Sequence, residues 1–188
     1  VADTFEVGSS LTHIFSDNLT GSIGLSYEFS RITDRIDTSI YRRLAVPIDL
    51  TWDRRDNKTD AKRGFYIAAE AKPFLGFGIS DSGARFTLDA RGYKAVDAAN
   101  RFVIAARLQA GAVVGASLIG TPREDLFYSG GGGTVRGQPY QSLGVNILRD
   151  SFSDPFRTGG TYFLGASLEA RAKVTDSIGV VGFVDVGQ

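Results

Sequence analysis

A single cation sits in a run that no regular element accepts: Gly130-Gly131-Gly132-Gly133-Thr134-Val135-Arg136-Gly137-Gln138. Glycine loses more backbone entropy on ordering than any other residue, so consecutive glycines suit neither a helix nor a strand interior. The run reads as a hinge presenting Arg136 on a tight turn, framed by Gly132, Gly133, Val135 and Gly137. A guanidinium grips a carboxylate through a planar two-bond fork, which fixes orientation better than an ammonium does. The chemistry on offer is therefore positional: a latch between a mobile loop and an acidic wall. The alternative is an exposed arginine on a floppy loop.

Other chemistries find less support. A phosphate cradle needs Gly-Lys-Ser/Thr opening a helix, but Gly137 precedes Gln138 and Pro139 and no helical period follows. No Gly-x-Ser-x-Gly nucleophile elbow occurs. Asp53, Asp56 and Asp60 form an acidic cluster, but Arg54, Arg55, Lys58 and Lys62 neutralise it, so it reads as a solvated strand end rather than a calcium site. His13 stands alone on the apolar side of its strand, an interface residue rather than a ligand or base. The chain has no cysteine, hence no disulfide and no thiolate zinc site. With 21 basic and 21 acidic residues, no net field recruits nucleic acid or anionic lipid. No metal, cofactor or catalytic residue is expected.

The elements that would position Arg136 show a period of two almost throughout. Phe5, Val7, Leu11 and Phe15 fall on one face and Glu6, Ser10 and Thr12 on the other. The same alternation recurs through Ile23–Phe29, Leu44–Trp52, Phe65–Ala71, Phe86–Ala90, Phe102–Ala112, Leu164–Ala172 and Ile178–Val186. In nearly every strand the polar face carries full charges, while the other is aliphatic and aromatic. A soluble sandwich would bury that apolar face against a second sheet; an outer-membrane barrel turns it to lipid and points the charges into a wet lumen. Strand length favours the barrel, since soluble strands cluster near five or six residues. Short turns (Ser16–Asn18, Asp97–Asn100, Thr175–Ser177) are expected to alternate with longer connections at Thr33–Thr38, Arg54–Arg63, Gly76–Asp81 and the long loop 117–160. The fold class expected is all-β, an antiparallel up-and-down transmembrane barrel of which about eight strands are present. No run reaches the ~20 apolar residues of a membrane helix. The chain opens at Val1 in mid-pattern, as a segment of something longer would.

Four ordered motifs then carry a family likeness. The Gly130–Gly137 stretch resembles the VRG(Y/F) loop of the outer-membrane assembly superfamily, whose members include BamA, TamA and two-partner secretion transporters. Asp53-Arg54-Arg55-Asp56-Asn57 with Gly64 is similar to that family's D-x-R-D-N…G strand end. Gly165–Arg171, with Gly165 ahead of Glu169 and Arg171, resembles its Gly…Glu-x-Arg strand, and Phe183-Val184-Asp185-Val186-Gly187 its F-x-D-x-G strand. The flavour is TamA-like in Asp125–Gly131 and Thr175–Val181. One departure is Gln138, where the family carries an aromatic.

The resemblance implies a sixteen-stranded barrel preceded by POTRA domains, of which 1–188 would be a partial barrel without those domains, about strands six to thirteen. It implies a loop folded into the lumen, with Arg136 meeting the wall near Glu169, Arg171, Phe183 and Asp185. The alternation places Glu169 and Asp185 on one polar face. It further implies a non-enzymatic insertase or translocase in the Gram-negative outer membrane. Its partners would be membrane lipid, unfolded outer-membrane proteins or autotransporters, and a periplasmic or inner-membrane protein reached through the POTRA domains. A two-partner secretion pore, or the passive barrel of a surface protein, is the alternative.

Overall fold

A computed structural model describes residues 2–33, 38–147 and 156–188. The period-two stretches form one antiparallel sheet. In chain order its strands are β1 (Ala2–Ser16), β2 (Leu19–Thr33), β3 (Thr38–Ala45), β4 (Ile48–Asp53), β5 (Arg63–Gly78), β6 (Gly83–Ala95) and β7 (Phe102–Val114). A long excursion follows, holding a 3-10 turn at Arg123–Asp125 and a small ribbon of β8 (Val145–Ile147) with β9 (Phe156–Thr158). The chain then rejoins the sheet as β10 (Tyr162–Lys173), beside β7, and ends in β11 (Gly179–Gly187).

Strands β3 and β4 are two halves of one path, since both pair with β2 and with β5. Pairing lapses at Val46-Pro47, where proline has no N–H to donate. Gly24 N–H still reaches the Pro47 carbonyl at 2.8 Å, and Val46 N–H the Pro73 carbonyl at 2.9 Å. Nine strands in the sheet thus make eight paths across it, the number the alternation suggests.

Exposure along the paths is inside out for a protein in water. Leu11 is 78% exposed, Val184 68% and Leu168 56%, whereas Arg43 on the opposite face is 2% exposed. Because the pleat sends successive side chains to opposite faces, one apolar and one charged surface follow from the sequence alone. The long excursion folds over the charged face. A small apolar cluster of Ala45, Phe74 and Val113, with Ala116 and Phe127, sits beneath it.

The connections depart from the expected rhythm. Leu19 pairs with Trp52, so residues 54–62 lie at the same end as the tight Ser16–Leu19 turn. They belong to the short-turn end rather than opposite it, because strand direction, not loop length, decides which end a connection occupies. The β5–β6 connection, expected among the longer ones at Gly76–Asp81, is only residues 79–82, since β5 continues to Gly78. Of the expected loop Thr33–Thr38, residues 34–37 lie outside the described residues, as do residues 148–155 of the long loop.

Gly64 opens β5 at φ +95°, and a Cβ there would stand 2.0 Å from the Arg54 carbonyl oxygen. Left-handed backbone and steric overlap both exclude a side chain. Gly64→Ala is expected to destabilise the folded barrel by about 2 kcal/mol or more, read as a lower temperature for loss of heat-modifiable electrophoretic mobility.

Candidate functional site: a charged loop on a charged wall

The tip of the long loop comes down on β10 and β11. Their register sets Ser167 opposite Asp185 and Glu169 opposite Phe183, so Glu169, Phe183 and Asp185 share the charged face. Arg136 Nε donates to Asp185 Oδ2 at 2.8 Å and Nη2 to Oδ1 at 2.7 Å, a complete fork. Its own backbone N–H donates to Oδ2 at 2.8 Å. Nη1 donates to Glu169 Oε1. The guanidinium carbon lies 3.8 Å from the centroid of the Phe183 ring, within cation–π range. The aromatic beneath the arginine thus comes from the wall, and Gln138 on the loop does not supply it.

Arg171, expected among the residues meeting Arg136, stands one step back. Its Nε donates to Glu169 Oε2 at 2.8 Å, and its guanidinium faces the Tyr93 ring at 5.5 Å. It steadies Glu169, which Arg136 also uses. Gly133 is held from another side, with Arg107 Nη1 donating to its carbonyl at 2.8 Å. Arg107 and Arg91 both fork onto Asp89, with Nη2 to Oδ2 at 2.7 Å in each case. Gly132 and Gly133 have open space where a side chain would stand, so at these two the lack of a Cβ contributes backbone freedom rather than clearance. Gly137 takes φ +87° to complete the turn.

Val135 completes the seat. A Cβ on Gly187 would lie 2.7 Å from Val135 Cγ2 and 3.1 Å from Ser129 Oγ. The last glycine of β11 is therefore a notch into which the loop fits.

A second set of contacts, which the sequence reading missed, holds the start of the loop. Asp125 is 5% exposed. Its carboxylate accepts from Lys72 Nζ at 2.8 Å and from Arg43 Nη2, and Arg85 Nε donates to its backbone carbonyl at 3.2 Å. Glu28 and Glu70 complete the cluster by pairing with Lys72 at 3.2 Å and Arg85 at 3.3 Å. Arg43, Lys72 and Arg85 were legible as charged-face residues. Nothing in the local pattern said that Asp125 would reach them, 82 residues away from Arg43 in the chain.

At the short-turn end the strand-end residues build a self-contained loop. Arg55 forks onto Asp53, Nε to Oδ1 at 2.9 Å and Nη2 to Oδ2 at 2.8 Å, and lies 4.7 Å over the Tyr66 ring. Asp56 Oδ1 accepts backbone N–H groups from Lys62 at 2.9 Å, Arg63 at 3.2 Å and Asn57 at 2.9 Å. Asp60 pairs with Lys62 at 2.8 Å. Asp53, Asp56 and Asp60 each have their own partner, and among the described residues no His, Cys, Asp or Glu group is arranged to hold a metal ion. His13 packs edge-on against Phe15 at 4.6 Å.

An apolar surface this continuous is not left to water. With a charged loop folded on its polar face, the sheet defines a class, the wall of an outer-membrane-type β-barrel. The chain belongs to the Omp85 superfamily, whose domain matches residues 2–188. Among solved structures it is similar to "The crystal structure of BamA from Haemophilus ducreyi lacking POTRA domains 1-3", with a TM-score of 0.86 at 16% sequence identity. The likeness covers 99% of this chain and 41% of that one, so the chain spans well under half of its relative's length. No curated protein matches the sequence.

Two outcomes are expected. The backbone donors of Lys62, Arg63 and Asn57 hold the exposed Asp56 carboxyl below its ordinary pKa of 3.8. A depressed folded-state pKa contributes stability above the unfolded value and loses it as pH falls through the folded one. Amide hydrogen exchange at Lys62 and Arg63 should therefore stay slow at neutral pH and accelerate, relative to neighbouring strand amides, below about pH 4. Separately, Gly187→Ala should overpack the notch by about 1–3 kcal/mol and raise protease cleavage within residues 131–142. Adding Val135→Ala should restore protection.

Proposed function

We propose that this chain is part of the barrel of an outer-membrane insertase or translocase, most like TamA, which assists outer-membrane proteins or autotransporters into the membrane. The supporting observation is the Arg136 fork on Asp185 with its further bond to Glu169, in a chain of the Omp85 superfamily. On this reading residues 1–188 form about strands six to thirteen of a sixteen-stranded barrel, and the charged face lines its lumen. The apolar face meets lipid in the Gram-negative outer membrane. POTRA domains ahead of the barrel would engage a periplasmic or inner-membrane partner.

The physical task is to let a client strand enter hydrocarbon without leaving its backbone unpaired. Each unmade backbone hydrogen bond there costs several kcal/mol, so a client needs a protein edge to pair with as it inserts. A barrel that lends such an edge must loosen at one place while the rest of the wall holds its shape. The loop, latched across β10 and β11, braces the wall from within. No bond-making chemistry is asked of any residue; Arg136, Glu169, Phe183 and Asp185 act by position.

Replacing Arg136 by Ala in the full-length protein removes the fork and leaves Asp185, whose side chain is 2% exposed, without its cation. A loss of about 1 kcal/mol in loop placement is a factor of about five. In liposomes the variant should slow protease-protected folding of a client barrel by about that factor and lower the heat resistance of its own barrel. Unchanged client folding and heat resistance would remove the latch. Steady ion conductance without accelerated folding, in the unaltered protein, would point to a secretion pore.

A further inference from the structure

The loop divides into two parts with different surroundings. Its root runs from Thr121 to Ser129 and is largely buried: Thr121 is 2% exposed, Leu126 5% and Ser129 3%. Phe127 fills a space left by Gly111, where a Cβ would meet the ring at 2.3 Å, and Arg85 lies 4.8 Å over that ring. Phe127 and Gly160 exchange two backbone hydrogen bonds, at 2.9 and 2.8 Å, which tie the root to the returning leg. Just before the root, Ser117 donates from its backbone at 2.8 Å to Asp81 in the β5–β6 turn, and the Tyr41 hydroxyl donates to the Ile119 carbonyl at 2.9 Å.

The tip is the remainder, closed at its base by Ser129 and Leu143, which exchange hydrogen bonds at 3.0 and 2.9 Å. Beyond that base lie the glycines, and most of residues 131–142 are open to solvent. The tip touches the wall through Arg136, the Gly133 carbonyl and Val135.

The two parts are also held by opposite charges. The tip brings a cation to wall carboxylates; the root brings an anion to wall cations on three different strands, Arg43 of β3, Lys72 of β5 and Arg85 of β6. The reversed polarity keeps either end from substituting for the other. The flexible joint between them falls in the Gly130–Gly133 run.

We propose that Asp125 is a positioning residue that fixes the loop root on the wall independently of Arg136, so that unlatching Arg136 frees only the tip. The proposal rests on the reading of the loop as a latch inside the lumen, and adds that the latch is two fasteners in series across a glycine joint. Release of Arg136 then swings about a dozen residues while the root continues to fill the space over Ala45, Phe74 and Val113.

The test uses the full-length protein in liposomes, with any cysteines outside this cysteine-free segment removed. One reporter cysteine is placed in the root, Leu126→Cys, and in a separate protein one in the tip, Val135→Cys. A water-soluble maleimide then reads their labelling rates, and heat-modifiable mobility confirms that each barrel is folded. Arg136→Ala should speed tip labelling about fivefold and leave the root within twofold of the unaltered protein. Asp125→Asn should speed root labelling by tenfold or more; Asp125→Glu should restore protection. Lys72→Gln, which removes a partner from the wall side, should reproduce the Asn effect if Asp125→Asn does not fold.

Root and tip exposed together by Arg136→Ala would mean one cooperative loop and would overturn the proposal. So would a root unmoved by either Asp125→Asn or Lys72→Gln. A tip unmoved by Arg136→Ala, with a root freed by Asp125→Asn, would sink the latch of the proposed function while leaving the root anchor standing.

Discussion

Every charge on the inner face of this sheet must find a partner without the help of a second sheet. The outer face is apolar, so the pleat sends nearly all the full charges to one side, where they would repel or remain underpaired. The long loop meets that constraint by crossing the face with charges of its own. Arg136 goes to Asp185 and Glu169, and Asp125 to Arg43 and Lys72. The carboxylates of Glu169 on β10 and Asp185 on β11 become the loop's seat.

Wall and loop are therefore not separable in energy. Glu169 takes Arg136 on one oxygen and Arg171 on the other, and Asp89 takes Arg91 and Arg107 together. Such shared carboxylates couple neighbouring strands to the loop, so a change at one arginine is felt by the next. The small apolar cluster under the root adds packing that ion pairs alone would not provide. Two structural glycines, Gly111 and Gly187, work by leaving room: each is a place on the wall where loop and strand would otherwise collide.

The strand-end segment is organised on different lines. Its charges are spent locally, Asp53 on Arg55 and Asp56 on the backbone of residues 57, 62 and 63. It makes a self-contained corner at the short-turn end. This explains how a nine-residue connection can sit at an end whose other connections run to two, six and five residues: a carboxylate at its centre gathers the N–H groups that a hairpin turn would have paired.

The alternation in the sequence was enough to assign faces. A side-chain period of two is a local property of extended backbone, so Glu169, Phe183 and Asp185 could be placed on one side with Arg43, Lys72 and Arg85 before any strand was paired. The glycine run likewise announced a joint, because its backbone entropy is a property of the residues themselves. Local pattern could not say which end the 54–62 connection occupies, that Pro47 would split one path into β3 and β4, or that Asp125 would lie under Arg43 and Lys72. Those depend on register and on the return of a long loop across the sheet, which bring together residues as far apart as Arg43 and Asp125. Which face each charge occupies was written in the chain; which charges meet was decided by tertiary structure, because pairing depends on distances that only the assembled sheet creates.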